Sequence, residues 1–91
     1  MASGLWDYVI TPHAEWEMVR RGITRETLHH VVTTPEQRIG LRPGRVILQS
    51  RLRSGAGETY LVRIVDIDRR PAEVVTAYRT SRIAKYWRTT E

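Results

Sequence analysis

The sequence predicts an α+β domain with a mainly antiparallel sheet and a helical hairpin packed on one face of it. Three observations predict this. Capped, amphipathic helical segments fill residues 11–34. From Pro35 onward the apolar period changes to two. Turns rich in Pro, Gly and Ser separate the alternating runs. Strands grouped after helices favour antiparallel pairing over parallel βαβ units.

The elements follow in order. Residues 5–10 are rich in β-formers (Trp6, Tyr8, Val9, Ile10) and predict a short first strand at a sheet edge. Thr11-Pro12 has the chemistry of a helix start, a hydroxyl cap followed by a residue whose φ is already helical. Residues 13–21 place Ala14 and Met18 four apart on one face, and Gly22 ends that helix. Thr24 caps a second helix with Glu26 in its first turn. Leu28, Val31 and Val32 form its core face, and Pro35 stops it. The short Gly22-Ile23 junction makes the two helices a tight αα-hairpin.

Residues 37–41 read as a weak strand, and Arg42-Pro43-Gly44-Arg45 as a tight turn. Residues 45–53 alternate, with Val46, Leu48 and Leu52 on one face and Ile47, Gln49 and Arg51 on the other. Residues 54–57 form a second turn. Residues 60–67 are the most apolar strand and are expected at the sheet centre. A turn at 68–71 leads to a strand over 73–79, and Thr80 or Ser81 is expected to cap a last short helix running through Trp87. The expected order is β-α-α-β-β-β-β-α. Trp6 and Trp16 are read as packing residues, and His29 and His30 as surface residues.

The 91 residues are expected to form one domain, residues 1–91. A chain of this size buries roughly 60–70% of the surface its unfolded form exposes, which allows one small core. There is no cysteine, so disulfides and thiolate metal sites are excluded. No His-x-x-x-His spacing is present, so neither metal nor cofactor is expected. No apolar run is long enough to span a bilayer, and no signal peptide is discernible; a soluble, cytoplasmic protein with no membrane partner is expected. Of the 15 basic residues all but Lys85 are Arg. Residues 1–34 net −1, whereas residues 35–91 carry 12 basic and six acidic residues and net +6. An Arg-rich half points to phosphate, because the guanidinium fork matches phosphate oxygens bidentately. Genomic base composition and plain solubility are the competing explanations of such a bias.

Two segments carry a resemblance. One is His13-Ala14 with Met18 and Arg21-Gly22-Ile23. The other is Val75-Thr76, then Tyr78-Arg79-Thr80-Ser81, then Lys85-Tyr86-Trp87. In this order and separation the chain resembles a family of small bacterial domains of unknown function related to the RelE/ParE-like toxins, with the BrnT toxins as similar relatives. The resemblance covers residues 8–88 and implies a RelE-like fold and membership of a toxin–antitoxin system. Its partners would then be RNA or the ribosome, and an antitoxin protein. Glu17 stands where that family often carries Arg. Relatives include ribosome-dependent ribonucleases and gyrase poisons, and fold alone does not fix function.

Metal-independent RNA cleavage needs a base for the ribose 2′-hydroxyl, a cation for the charge that builds on phosphorus, and an acid for the leaving 5′-oxygen. The candidate catalytic residues are His13, Glu17, Arg63 and Arg79. A neutral imidazole at His13, in the first helical turn, is a candidate base, and Glu17 one turn on would orient it. The alternative is a histidine that merely packs at a helix terminus. Arg63 interrupts an apolar row formed with Leu61, Val65 and Ile67, so it needs a cleft or a partner, either a basic face with Gln49 and Arg51 or an ion pair with Glu58 or Glu73. The candidate nucleic-acid contacts are Arg45, Arg51, Arg79, Thr80, Ser81, Lys85 and Tyr86. Arg79-Thr80-Ser81 is expected to bind an anion at a helix start, where free backbone N–H groups attract phosphate, with Lys85 one turn later. Tyr86 would stack on a base or else pin the last helix to the sheet. Two classes stay open: a RelE/BrnT-like ribonuclease toxin, and a non-catalytic module of the same fold that binds a protein partner or nucleic acid.

Overall fold

A computed structural model of the chain describes residues 8–89. Strand β1 (Tyr8–Ile10) leads into helices α1 (Pro12–Arg21) and α2 (Arg25–Thr33). Four strands follow, β2 (Gln37–Arg42), β3 (Arg45–Arg53), β4 (Thr59–Ile67) and β5 (Ala72–Thr80), and then one turn of helix, α3 (Ile83–Tyr86). Leu5, Trp6 and Asp7, which the sequence places in the first strand, lie outside the described residues.

The fold is α+β with a mixed five-stranded sheet in the order β1-β5-β4-β3-β2. The strands β2 to β5 pair antiparallel as a meander, but β1 joins β5 parallel, with Ile10 opposite Val74. The parallel pairing follows from the connection. The helical hairpin carries the chain from β1 to the far edge of the sheet, and the meander returns with β5 running in the direction of β1. The most apolar strand, β4, is central.

The local chemistry of α1 matches its sequence. The Thr11 hydroxyl accepts from the Ala14 N–H at 3.2 Å and donates to the Val74 carbonyl at 3.0 Å, so one residue caps the helix and ties it to β5. Gly22 takes φ +67°, the left-handed value that favours glycine at a helix end. Thr24 caps α2 through the Thr27 N–H at 3.1 Å. Gly44, the second residue of the β2–β3 turn, also has a positive φ of 81°.

The core lies between the helices and one sheet face. Ala14, Met18, Ile23, Leu28 and Val31 pack against Leu48, Val62, Ile64, Val74 and Ala77. Fully burying a Leu or Val side chain contributes about 1.5–3 kcal/mol. The opposite sheet face is crossed by the C-terminal segment. The Gln49 amide donates to the Tyr86 carbonyl at 3.2 Å, the Arg88 N–H donates to Gln37 Oε1 at 3.1 Å, and the Arg51 guanidinium covers the Trp87 ring at 3.9 Å.

Three expectations are corrected. The last helix is a single turn capped at Arg82, not at Thr80 or Ser81, and the Thr80 hydroxyl instead accepts from the Arg82 N–H at 3.0 Å. Trp16 is 54% exposed and does not pack into the core. His29 is half-buried and bonded to the Tyr8 hydroxyl at 2.8 Å. No helix among the described residues is long and apolar enough to cross a membrane.

Candidate functional site

The sheet alternation separates the predicted catalytic residues. Val62 stands opposite Arg79 and Arg63 opposite Tyr78, so Arg63 and Arg79 project from opposite faces of neighbouring strands. His13 and Glu17 lie elsewhere again, on α1 at the β5 edge. The four residues do not form one centre.

Glu17 has a structural task. It is buried, and its carboxylate accepts from the Ala77 N–H at 3.3 Å and lies 3.5 Å from the Arg21 guanidinium. Arg21 in turn donates to the Ala77 carbonyl at 3.0 Å. Beyond the three residues that pair with β1, the outer edge of β5 would leave backbone groups unmatched. Glu17 and Arg21, one helical turn apart, satisfy both groups of Ala77. The other carboxylate oxygen lies 3.5 Å from His13 Nε2, as the four-residue spacing predicts, but the His13 ring is exposed and stacks beside Trp16 at 6.0 Å.

Arg79 closes a groove of about 300 Å³ whose lining includes Arg21, Ser54, Tyr60, Thr80 and Ser81. Its guanidinium covers the Tyr60 ring at 4.0 Å and reaches the Gly22 carbonyl at 3.4 Å. Arg79, Thr80 and Ser81 are therefore together, as expected, but on a strand end rather than at a helix N-terminus. Arg51 is engaged by a carboxylate: Nε and Nη2 grip Glu36 at 3.2 and 3.1 Å, which holds the Glu36 carboxyl below its usual range. Arg45 begins the same strand, six residues and roughly 20 Å from Arg51 at 3.3 Å per residue, so the two share a face but not a site.

Arg63 makes the most informative arrangement. It is half-buried in the row predicted for it, yet among the described residues no carboxylate pairs with it. Its Nε donates to Gln49 Oε1 at 2.9 Å, and its guanidinium covers the Tyr86 ring at 4.2 Å. Gln49 is fully buried and held by Gln37 and the Tyr86 carbonyl, so the guanidinium is anchored on a rigid base. Tyr78 meets Tyr86 edge to face at 5.9 Å, and Lys85 Nζ lies 5.4 Å from the Tyr86 ring centroid. Arg63, Val65, Thr76, Tyr78 and Tyr86 line an open cleft of about 320 Å³. Partial burial pulls the Arg63 pKa down, against the pull of Tyr86 and Tyr78. The Tyr86 hydroxyl is held below the ordinary tyrosine range by Tyr78 first, with Lys85 and Arg63 acting in the same sense.

Sequence reasoning missed Arg21, whose guanidinium lies over the Tyr78 ring at 4.9 Å and also lines the Arg79 groove. It bridges the two concavities around the β5 edge. Its place in the Arg21-Gly22-Ile23 segment was a usable signal, but its reach across the edge depends on how α1 docks. Among the described residues no group of three His, Asp or Glu is placed to hold a metal ion.

Residues 10–85 match the family described as a domain of unknown function, DUF4258, and the chain belongs to that family. No curated protein matches the chain, and no solved structure matches it.

Proposed function

We propose that this domain binds and cleaves RNA without metal, as a toxin of the RelE/BrnT-like kind, and that its working centre is the Arg63–Tyr86 cleft. The observation that carries this reading is a half-buried guanidinium, anchored by Gln49 and without a carboxylate, facing a tyrosine whose hydroxyl is made more acidic by its neighbours. Such a pair has the two properties phosphodiester cleavage asks for, fixed positive charge and a base. The Tyr86 phenolate takes the proton of a ribose 2′-hydroxyl, whose oxygen attacks the adjacent phosphorus. Arg63 stabilises the charge on the phosphoryl oxygens. The bond to the 5′-oxygen breaks as Lys85 delivers a proton to it. The products are a 2′,3′-cyclic phosphate and a 5′-hydroxyl end. Arg21 and Arg79 hold flanking phosphates. In this reading His13 and Glu17 shape α1 and leave the chemistry to the opposite face.

Induced expression in a bacterial host tests this. The wild type should arrest growth and leave transcripts with new 5′-hydroxyl ends. Tyr86→Phe and Arg63→Gln should relieve the arrest while remaining folded. Arrest undiminished by both substitutions would remove the cleft from the mechanism.

A second reading rests on the outer face of α1, where Trp16 is 54% and Val19 82% exposed beside a shallow groove formed with Pro12 and Ile23. Exposed large apolar groups in a cluster mark protein contact. A binding module that engages a protein partner, an antitoxin among them, uses that face. Loss of partner capture on Trp16→Ala, with RNA binding intact, distinguishes this role from the first.

A further inference from the structure

On the opposite face of the sheet from Arg63, under the C-terminal half of α2, lies a groove of about 490 Å³ that neither functional reading uses. Its floor is Asp66. This residue is only 5% exposed, and among the described residues its buried Oδ1 has no hydrogen-bond partner. A buried carboxylate oxygen left unmatched costs free energy, and native structures rarely keep one without cause. Asp66 follows Val62 and Ile64 in the plain alternation of β4, so this acidic side chain lies on the helix side of the sheet, among core residues, beside the point where the pairing with β5 shifts.

The surroundings define what would match it. Asp68 lines the same groove two residues further along, roughly 7 Å away by strand rise. Val32 and Leu48 supply apolar walls, and the Tyr8 and His29 rings, 5.8 Å apart, border the groove. The chain already shows which group its outer carboxylate accepts: Arg38 donates from Nη2 to Asp68 Oδ2 at 3.0 Å at the exposed rim. The inner carboxylate's Oδ1 has no such partner among the described residues.

We infer that this groove is a binding site for a guanidinium group, which enters beside Arg38 and donates to Asp66. A planar cation with several N–H donors along its edge fits two carboxylates in line, and its weakly hydrated face can lie flat against the bordering rings or on Val32 and Leu48. A spherical metal ion fits less well, since the described residues offer no three-ligand set here. The chemistry is shared by small guanidinium compounds and by the arginine side chain of a partner protein.

The test is a titration of the full chain with methylguanidinium chloride and, separately, with acetyl-arginine amide, each against sodium chloride at equal ionic strength. Backbone amide shifts are the readout. Saturable shifts centred on Val32, Asp66 and Asp68 are expected, with affinity at least about tenfold weaker in Asp66→Asn. Thr33→Trp, which narrows the mouth and leaves the carboxylate in place, is expected to weaken binding too. Binding of both probes supports the site and shows that the head group suffices. Binding of acetyl-arginine amide alone supports it and assigns the source to a peptide side chain. Binding of neither probe, or equal binding to wild type and Asp66→Asn, overturns it.

Discussion

The same residue types do different work according to what the register places beside them. Glu17 was legible as a partner for His13 from its four-residue spacing, but not as the cap of a strand edge, because Ala77 is 60 residues away and only the docking of α1 brings it within 3.3 Å. Replacing Glu17 by Ala strands the Ala77 N–H and the Arg21 charge. A loss of about 1–3 kcal/mol in urea unfolding is expected. Arg63 was legible as an anomaly, a charge in an apolar row, although its partner proved to be Gln49 rather than a carboxylate, since which residue lies across the strand is a matter of register. Asp66 gives a pH signature. Burial, aided by Asp68, raises its carboxyl above the usual range, so the folded state binds the proton more tightly than the unfolded chain. Its contribution is therefore fully favourable below the unfolded pKa and is lost as pH rises through the folded one. Asp66→Asn is expected to be more stable than the wild type at neutral pH, with the difference shrinking on acidification. Tyr8 has the same sign at the other end of the scale: burial raises its pKa from 10.0 to about 12. Absorbance titration should show one of the four tyrosines ionising late, with unfolding as pH passes through that window.

Among the elements, those with local causes were the readable ones. Thr11, Thr24 and Gly22 mark their helix ends in the sequence, and the structure places caps at all three. At Gly22 a methyl group would sit 3.7 Å from the Arg79 guanidinium, an ordinary contact, so the cost of Gly22→Ala is that of the left-handed backbone alone, about 1–2 kcal/mol in thermal or urea unfolding. The α3 segment was over-read because hydroxyls at Thr80 and Ser81 look like caps, whereas the Thr80 side chain closes a local turn and the helix lasts only four residues. The parallel attachment of β1 was not legible, since it depends on where a three-residue strand finds a free edge.

For the whole molecule, the basic excess is less uniform than the sequence suggests. Arg25 pairs with Glu15, Arg38 with Asp68, Arg51 with Glu36 and Arg69 with Glu73, so four of the 15 basic residues face a carboxylate in these pairs. Arg63, Arg79 and Lys85 carry no such carboxylate among the described residues, and Arg21 bridges their two concavities. Binding of single-stranded RNA should then depend on salt as for about three or four phosphate contacts, a log–log slope of about −2 to −3, far shallower than an evenly basic surface would give. The measurement that tests the central claim most directly is RNA-binding anisotropy for the wild type, Arg63→Gln and His13→Ala, at low salt and with chelator present. The Arg63–Tyr86 cleft predicts a loss of at least about tenfold in Arg63→Gln and unchanged affinity in His13→Ala. Unchanged affinity in Arg63→Gln, with the loss appearing in His13→Ala, would contradict it and return the site to the face of α1.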